Sequence, residues 1–343
     1  MTDPTPGLLE RLDAGPVLCA EGYLFELERR GYLQAGAFVP EVVLEHPEKV
    51  SELHREFVHA GSDVVEAFTY YAHREKLRVI GREHLLEEIN RHALGLARDV
   101  ARETGTLLAG NVCNTNIWTG KGSRDEARAM FEEQVGWAVD AGVDFVIGET
   151  FSWTGEAIAA TEVIKAAGLP AVVTFTPHSD PDTRDGLTVT DACRAVEAAG
   201  ADVVGLNCAR GPATMLPLLE EIRAAVSVHV AALPVPYRTH AAEPSMQSLR
   251  DPLAQSAEHR AFPSGLDPFT CTREETAHFA ADALALGAHY LGLCCGAAPH
   301  HIRSMAEALG REPEASRYSA DMSKHAYLGT AARAEYQGYV ERL

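Results

Sequence analysis

A closed barrel of eight parallel strands wrapped by helices, the (β/α)8 or TIM barrel, is the fold class this sequence predicts. The first observation is a repeated phrase: a small residue, Gly, a small or β-branched residue, Asp or His, then an apolar run. It reads Ala60-Gly61-Ser62-Asp63-Val64-Val65, Ala141-Gly142-Val143-Asp144-Phe145-Val146, Ala199-Gly200-Ala201-Asp202-Val203-Val204 and Leu286-Gly287-Ala288-His289-Tyr290-Leu291. Glycine after a helix takes the left-handed cap conformation without penalty. A short apolar run without alternation suits a strand covered on both faces. The second observation is the count: strands are predicted at about 16–21, 64–69, 106–112, 145–150, 171–176, 203–208, 228–234 and 290–295. Eight strands separated by helical segments favour the barrel over an open doubly wound sheet. The third is that no Gly-x-Gly-x-x-Gly follows any of these strands, which weakens the dinucleotide-binding alternative.

Element by element, the segments 123–141, 155–168 and 188–200 read as helices between strands. The stretch 239–271, rich in Pro, Ser and His, is expected to form an irregular loop over the barrel mouth. The barrel is assigned to residues 1–310. Residues 311–343 form a polar C-terminal tail, with a helix expected over 331–343 that packs on the barrel or on a second subunit.

A formal net charge of −19 argues against a polyanion partner, since nucleic-acid binders neutralise phosphates with clustered Lys and Arg. It disfavours anionic membrane surfaces as well. No run reaches the length of a membrane span, and the acidic first 15 residues have no apolar signal core. A cytoplasmic protein is expected, its seven cysteines left as free thiols rather than a disulfide framework.

Reactive groups of such barrels collect at the C-terminal strand ends. Three cysteines fall there: Cys208 in Gly-Leu-Asn-Cys, and the adjacent pair Cys294 and Cys295 in Gly-Leu-Cys-Cys-Gly. Neighbours on an extended chain point to opposite sides, so the pair can share one metal only where the backbone turns out of its strand. Three thiolates would leave a fourth position open, as a catalytic zinc requires. Cys19, Cys193 and Cys271 are expected to be small buried hydrophobes, the commonest role of a free cysteine. Cys113 sits near a rim, and His300 and His301 follow Pro299 at a helix start.

At these residues the chain resembles the homocysteine methyltransferase family, and within it the betaine-using branch. The resemblance also rests on Leu27-Glu28-Arg29-Arg30-Gly31-Tyr32, Glu45-His46-Pro47-Glu48, Leu53-His54-Arg55-Glu56-Phe57, Ala67-Phe68-Thr69-Tyr70-Tyr71-Ala72 and Pro299-His300-His301-Ile302-Arg303. It runs from about residue 7 to about residue 309.

The resemblance implies a zinc barrel with Cys208, Cys294 and Cys295 as metal ligands. It further implies an S-methyltransferase that moves a methyl group from a small onium donor to a thiol, with betaine and homocysteine as the leading guesses. Glu149 matches the family carboxylate that holds the acceptor's ammonium group, and Phe38, Tyr70 and Tyr71 match aromatic positions of the donor site. Glu149 and Tyr71 are taken as the catalytic positions, and Glu21, Asn111 and Thr150 join the substrate-binding set.

Three departures from the family touch substrates and none touches the metal. The family's first-strand Asp-Gly-Gly reads Ala20-Glu21-Gly22 here, so Glu21 must serve from one place along. Phe38 stands where the betaine branch has Trp, and Thr150 where it has Tyr. Two rival readings stay open: a demethylase that uses another onium donor or thiol, and a zinc- and ligand-binding barrel without turnover. The branch's long C-terminal dimer arm is expected to be largely missing, which leaves homo-oligomer formation open.

Overall fold

The computed structural model describes residues 6–251 and 259–330. Strands β1 (Val17–Ala20), β2 (Val64–Glu66), β3 (Leu107–Cys113), β4 (Phe145–Phe151), β5 (Ala171–Phe175), β6 (Val203–Asn207), β7 (His229–Leu233) and β8 (Ala288–Leu293) pair in sequence order. All pairs are parallel, and β8 returns to β1 over Val17–Ala20 to close the barrel. The expected helices appear at Arg124–Ala141, Thr154–Ala166 and Val189–Ala198. The helix expected over 331–343 lies outside the described residues.

The repeated phrase acquires a physical reason. Gly61, Gly142, Gly200 and Gly287 all have positive φ, between 75° and 111°. In three of the four units the aspartate then ties its strand to the preceding one. Asp63, Asp144 and Asp202 accept the backbone N–H of Leu18, Leu108 and Ala171 through Oδ2 at 2.7, 2.7 and 2.8 Å. Each returns its own N–H to the Leu18, Leu108 or Ala171 carbonyl. Such charge-assisted bonds are worth about 1.5–3 kcal/mol each when partly buried.

Alternation along the strands sorts the interior. Val17, Cys19, Val64, Leu107, Ala109, Phe145, Ile147, Val172, Val203, Ala231, Leu233 and Tyr290 form one fully buried cluster inside the barrel. Leu8 and Leu12, one turn apart on the helix Leu8–Ala14, join it from the N-terminal end. Ala20 belongs to the other cluster, between sheet and helices. Two residues further along β1 to β5, the next inward places belong to Glu21, Glu66, Asn111, Glu149 and Thr174, and four residues past Val203 and Tyr290 they belong to Asn207 and Cys294. The apolar core stops there and a polar layer begins.

Strand ends differ from expectation where the site is built. β2 stops at Glu66 rather than residue 69, because Thr69 N–H turns back onto the Ala67 carbonyl. β8 starts at Ala288 and ends at Leu293, so Cys294 and Cys295 lie just past it, and Cys208 lies one residue past β6. Leaving the strand is what frees adjacent thiols from opposite faces.

Candidate active site

Two segments of one pattern, Gly205-Leu206-Asn207-Cys208 and Gly292-Leu293-Cys294-Cys295, leave β6 and β8 on either side of β7. Both are anchored to the end of that middle strand: Cys208 N–H bonds to the Leu233 carbonyl and Cys294 N–H to the Pro234 carbonyl, each at 2.9 Å. The two glycines admit no side chain. A Cβ on Gly205 would lie 2.0 Å from the Ala231 carbonyl oxygen, and one on Gly292 would lie 1.9 Å from that of Cys19. Cys208 and Ala209 then turn through the left-handed region, with φ of 58° and 51°. For residues with a Cβ this is a sparsely populated conformation.

The turn brings the sulfurs of Cys208, Cys294 and Cys295 within 4.8 Å of one another. Cys294 and Cys295 Sγ are 3.8 Å apart. Bonds from Cys294 and Cys295 hold the Cys208 thiol well below its usual range, and the same contacts hold the other two well above theirs. Three soft donors from two strand ends fit a thiophilic metal ion with a position to spare. Behind them, Gly296 turns at φ 94° against Tyr237, whose hydroxyl accepts a 2.8 Å bond from Arg29 Nη2.

Below the sulfurs lies a small cavity of about 20 Å³, lined by Glu21, Glu66, Asn111, Glu149 and Cys294 among others. Asn111 Nδ2 donates to Glu66 Oε1 at 2.5 Å and to Glu149 Oε1 at 2.6 Å. Asn207 Nδ2 donates to Glu149 Oε2 at 2.6 Å, while its Oδ1 accepts from Thr150 N–H and Thr174 Oγ1 at 3.0 and 2.9 Å. Thr150, itself at φ 61°, adds a hydroxyl bond to Glu149 Oε2 at 3.2 Å. Burial pushes the Glu149 carboxyl up to about 7. Burial, then the neighbouring Glu149 charge, pushes Glu21 and Glu66 well above the carboxylate range.

Above the sulfurs opens a cavity of about 270 Å³ walled by Phe25, Phe38, Tyr70, Tyr71 and Phe262, with Cys208 and Cys295 at its base. The Tyr70 and Tyr71 rings lie 4.2 Å apart, and Phe25 meets Phe38 edge to face at 5.9 Å. Phe38 and Tyr71 hold left-handed backbones, φ 55° and 60°. The Tyr71 turn is fixed by its N–H bonding to Cys113 Sγ at 3.3 Å, which gives the buried Cys113 a positioning role. The Lys76 ammonium sits 4.0 Å over the Tyr71 ring. Burial pushes the Tyr71 hydroxyl up to about 12.

All the residues expected at the site are thus around these two cavities. Glu21 faces in although its neighbour Ala20 faces out. Glu66, Asn207, Phe25 and Phe262 were not among the expected site residues. Glu66 could have been found as a lone charge closing the Val64-Val65 run, two places along from an inward valine. His301 has a helix-end role: its Nδ1 accepts Ala298 N–H at 3.2 Å, and its Nε2 lies 3.2 Å from the Cys271 carbonyl.

Known proteins match most of this chain. The family model described as homocysteine S-methyltransferase matches residues 22–309. Betaine–homocysteine S-methyltransferase 1 of Danio rerio is 37% identical, covering 98% of this chain and 86% of that protein. S-methylmethionine–homocysteine S-methyltransferase BHMT2 of Pongo abelii is 36% identical, covering 95% of this chain and 86% of that protein. Among solved structures, the oxidised form of the homocysteine methyltransferase MmuM from Escherichia coli superposes with a TM-score of 0.67 at 21% identity. It covers 88% of this chain and 98% of its own. The matched length and the identity to these relatives lead to one conclusion: this chain belongs to the homocysteine S-methyltransferase family.

Proposed function

We propose that the protein is a zinc-dependent thiol methyltransferase that transfers a methyl group from a small onium donor to homocysteine. The observation that carries the reading is the position of Cys208, Cys294 and Cys295. They lie between an acidic floor that suits an amino-acid ammonium and an aromatic chamber that suits an onium ion.

A zinc ion on the three thiolates would form a site of one net negative charge that holds a further thiol as its thiolate at neutral pH. The protein's own residues do the rest. The acidic floor takes the acceptor's ammonium end, and Asn111, Asn207 and Thr150 fix Glu149 in that floor. Tyr70, Tyr71, Phe38 and Phe25 offer ring faces and edges to a cation that has no hydrogen-bond donor. In the transfer, a carbon–sulfur bond forms as the bond from methyl to onium nitrogen or sulfur breaks. Its electron pair leaves with the neutral amine or sulfide, and the thiol proton has already passed to solvent. At the reacting centres an anion and a cation become neutral, a change favoured where the bound reactants displace water. Positioning the two reactants in line is the protein's main contribution.

The donor is the less defined partner. Relatives named for betaine and for S-methylmethionine share nearly the same identity with this chain. Glu21 answers the loss of the first-strand aspartate, so Ala20 gives no ground for a decayed site. The test is product formation with zinc-loaded protein, homocysteine and a panel of betaine, S-methylmethionine and sulfonium donors. Methionine should form with at least one donor and fail to form in Cys208→Ala. Turnover undiminished in Cys208→Ala would overturn the proposal.

A further inference from the structure

We infer that Arg184 and Thr176, with the Gln247 amide, form a carboxylate subsite in the upper chamber, one that selects zwitterionic onium donors over simple cations. The inference rests on the methyl-transfer reading and deepens it. Besides its aromatic rings, the 270 Å³ cavity is lined by Asn114, Thr176, His178, Arg184 and Gln247. Among the described residues no Asp or Glu lines it. Burial holds His178 below its usual range, so it is neutral at pH 7. Arg184 is then the one fully charged side chain on the chamber apart from its cysteines. The chain as a whole carries a net charge of −19, so a lone cation here stands out.

The turn that carries Arg184 is pinned. Its own N–H bonds to the Ser152 carbonyl at 2.7 Å, and Thr183 N–H bonds to the Leu187 carbonyl at 2.8 Å. Asp185, next along, accepts the N–H groups of Thr154 and Gly155 at 3.0 and 3.1 Å, at the start of the helix Thr154–Ala166. The exposed Arg184 guanidinium makes no hydrogen bond and no ion pair within 4 Å among the described residues. Glu156 feels its charge, yet Glu156 Oε1 is taken by the Thr115 N–H and hydroxyl at 2.8 and 2.5 Å. Two more groups of this cavity lack partners: Thr176 Oγ1, on a residue 6% exposed, and Gln247 Oε1. A hydroxyl rotates and a terminal amide turns over, so each can present a donor to an anion.

An onium donor brings a positive charge into this chamber. Beside Arg184 that charge is opposed unless the ligand carries its own anion. A guanidinium fork meets a carboxylate with two parallel N–H donors, and the Thr176 hydroxyl supplies a third. The ligand class is an onium ion with a carboxylate a carbon or two away. Arg184 and Thr176 thereby become specificity-determining residues. The acceptor amino acid also carries a carboxylate, and the test separates the two sources.

Titration calorimetry of the zinc-loaded chain compares two donor pairs that differ only in the carboxylate. They are glycine betaine against tetramethylammonium, and dimethylsulfonioacetate against trimethylsulfonium. Each titration is run with and without homoserine, an unreactive oxygen analogue of the acceptor. Wild type should bind each zwitterion at least about fivefold more tightly than its simple cation. Arg184→Gln should weaken both zwitterions about 5- to 50-fold and leave the simple cations within about twofold. Arg184→Lys should recover part of the loss, and Thr176→Val should cost about 2- to 5-fold. Equal affinity within both wild-type pairs overturns the inference. So does equal weakening of all four ligands in Arg184→Gln, or no binding of either zwitterion with or without homoserine. A second titration sets homocysteine against 3-aminopropane-1-thiol. A loss in Arg184→Gln confined to homocysteine would give the fork to the acceptor and overturn the donor subsite. A wild type that prefers zwitterions but forms no methionine from homocysteine would sink the methyl-transfer reading and leave the subsite standing.

Discussion

Asn207 is the hub on which the polar layer turns, and replacing it by leucine tests whether that layer is real. The side chain is fully buried. It satisfies the Thr150 N–H and the Thr174 hydroxyl, and it donates to Glu149. Leucine is close in volume, so packing should change little while two buried donors and one carboxylate oxygen lose a partner. At about 1–3 kcal/mol per unsatisfied group, and with the Thr174 hydroxyl free to rotate elsewhere, the loss should total about 2–6 kcal/mol. That is a large share of the roughly 5–15 kcal/mol typical of a folded protein. Urea unfolding in the presence of chelator, followed by circular dichroism and tryptophan fluorescence, keeps metal from masking the difference. Asn207→Asp keeps both acceptors and should cost less near pH 5. Its penalty should grow as pH rises, because only the protonated form of the introduced carboxyl could donate to Glu149. A leucine variant within about 1 kcal/mol of wild type would refute the network as described.

Three further outcomes follow from particular contacts. Gly205→Ala places a Cβ 2.0 Å from the Ala231 carbonyl, which must force β6 from β7. Bound metal should fall below one ion per chain by elemental analysis, and unaltered metal content would contradict the role given to this glycine. Burial holds His301 down to about 4, so it stays neutral in the fold while the unfolded chain takes up a proton below about pH 6.5. Its contribution is therefore intact above that pH and lost as pH falls towards 4, at about 1.4 kcal/mol per pH unit and about 3 kcal/mol in all. His301→Gln should flatten the wild-type slope of stability against pH in that window, and an identical slope would be the contrary result. Tyr70→Leu and Phe38→Leu should raise KM for the onium donor about 2- to 30-fold with thiol affinity kept. A matching loss of thiol affinity would speak against a separate donor chamber.

Much of the barrel was legible because one local device recurs: a glycine that caps a helix, then an aspartate that binds the preceding strand. The metal-type trio was legible because cysteine is rare and three of seven fall at strand ends. What was hidden depended on where strands stop. The Val64-Val65-Glu66 run continues into Ala-Phe-Thr-Tyr-Tyr, which reads as more strand up to Thr69 and hides Glu66 within it. The left-handed turn at Cys208 and Ala209 carries no glycine to announce it. Whether Glu21 or Ala20 faces the interior is a matter of register, and only the pairing of Cys19 with Gly292 and Val64 fixes it. Phe25 and Phe262 lie far apart in sequence, on a helix and a long loop, and no local pattern links them.

The central claim is that Cys208, Cys294 and Cys295 hold one metal ion with room for a substrate thiol. X-ray absorption at the zinc edge tests it most directly, by counting sulfur neighbours at about 2.3 Å before and after homocysteine is added. Three protein sulfurs with a lighter fourth neighbour are expected, becoming four sulfurs on addition of the thiol. Two or fewer protein sulfurs, or a count that homocysteine leaves unchanged, would contradict it.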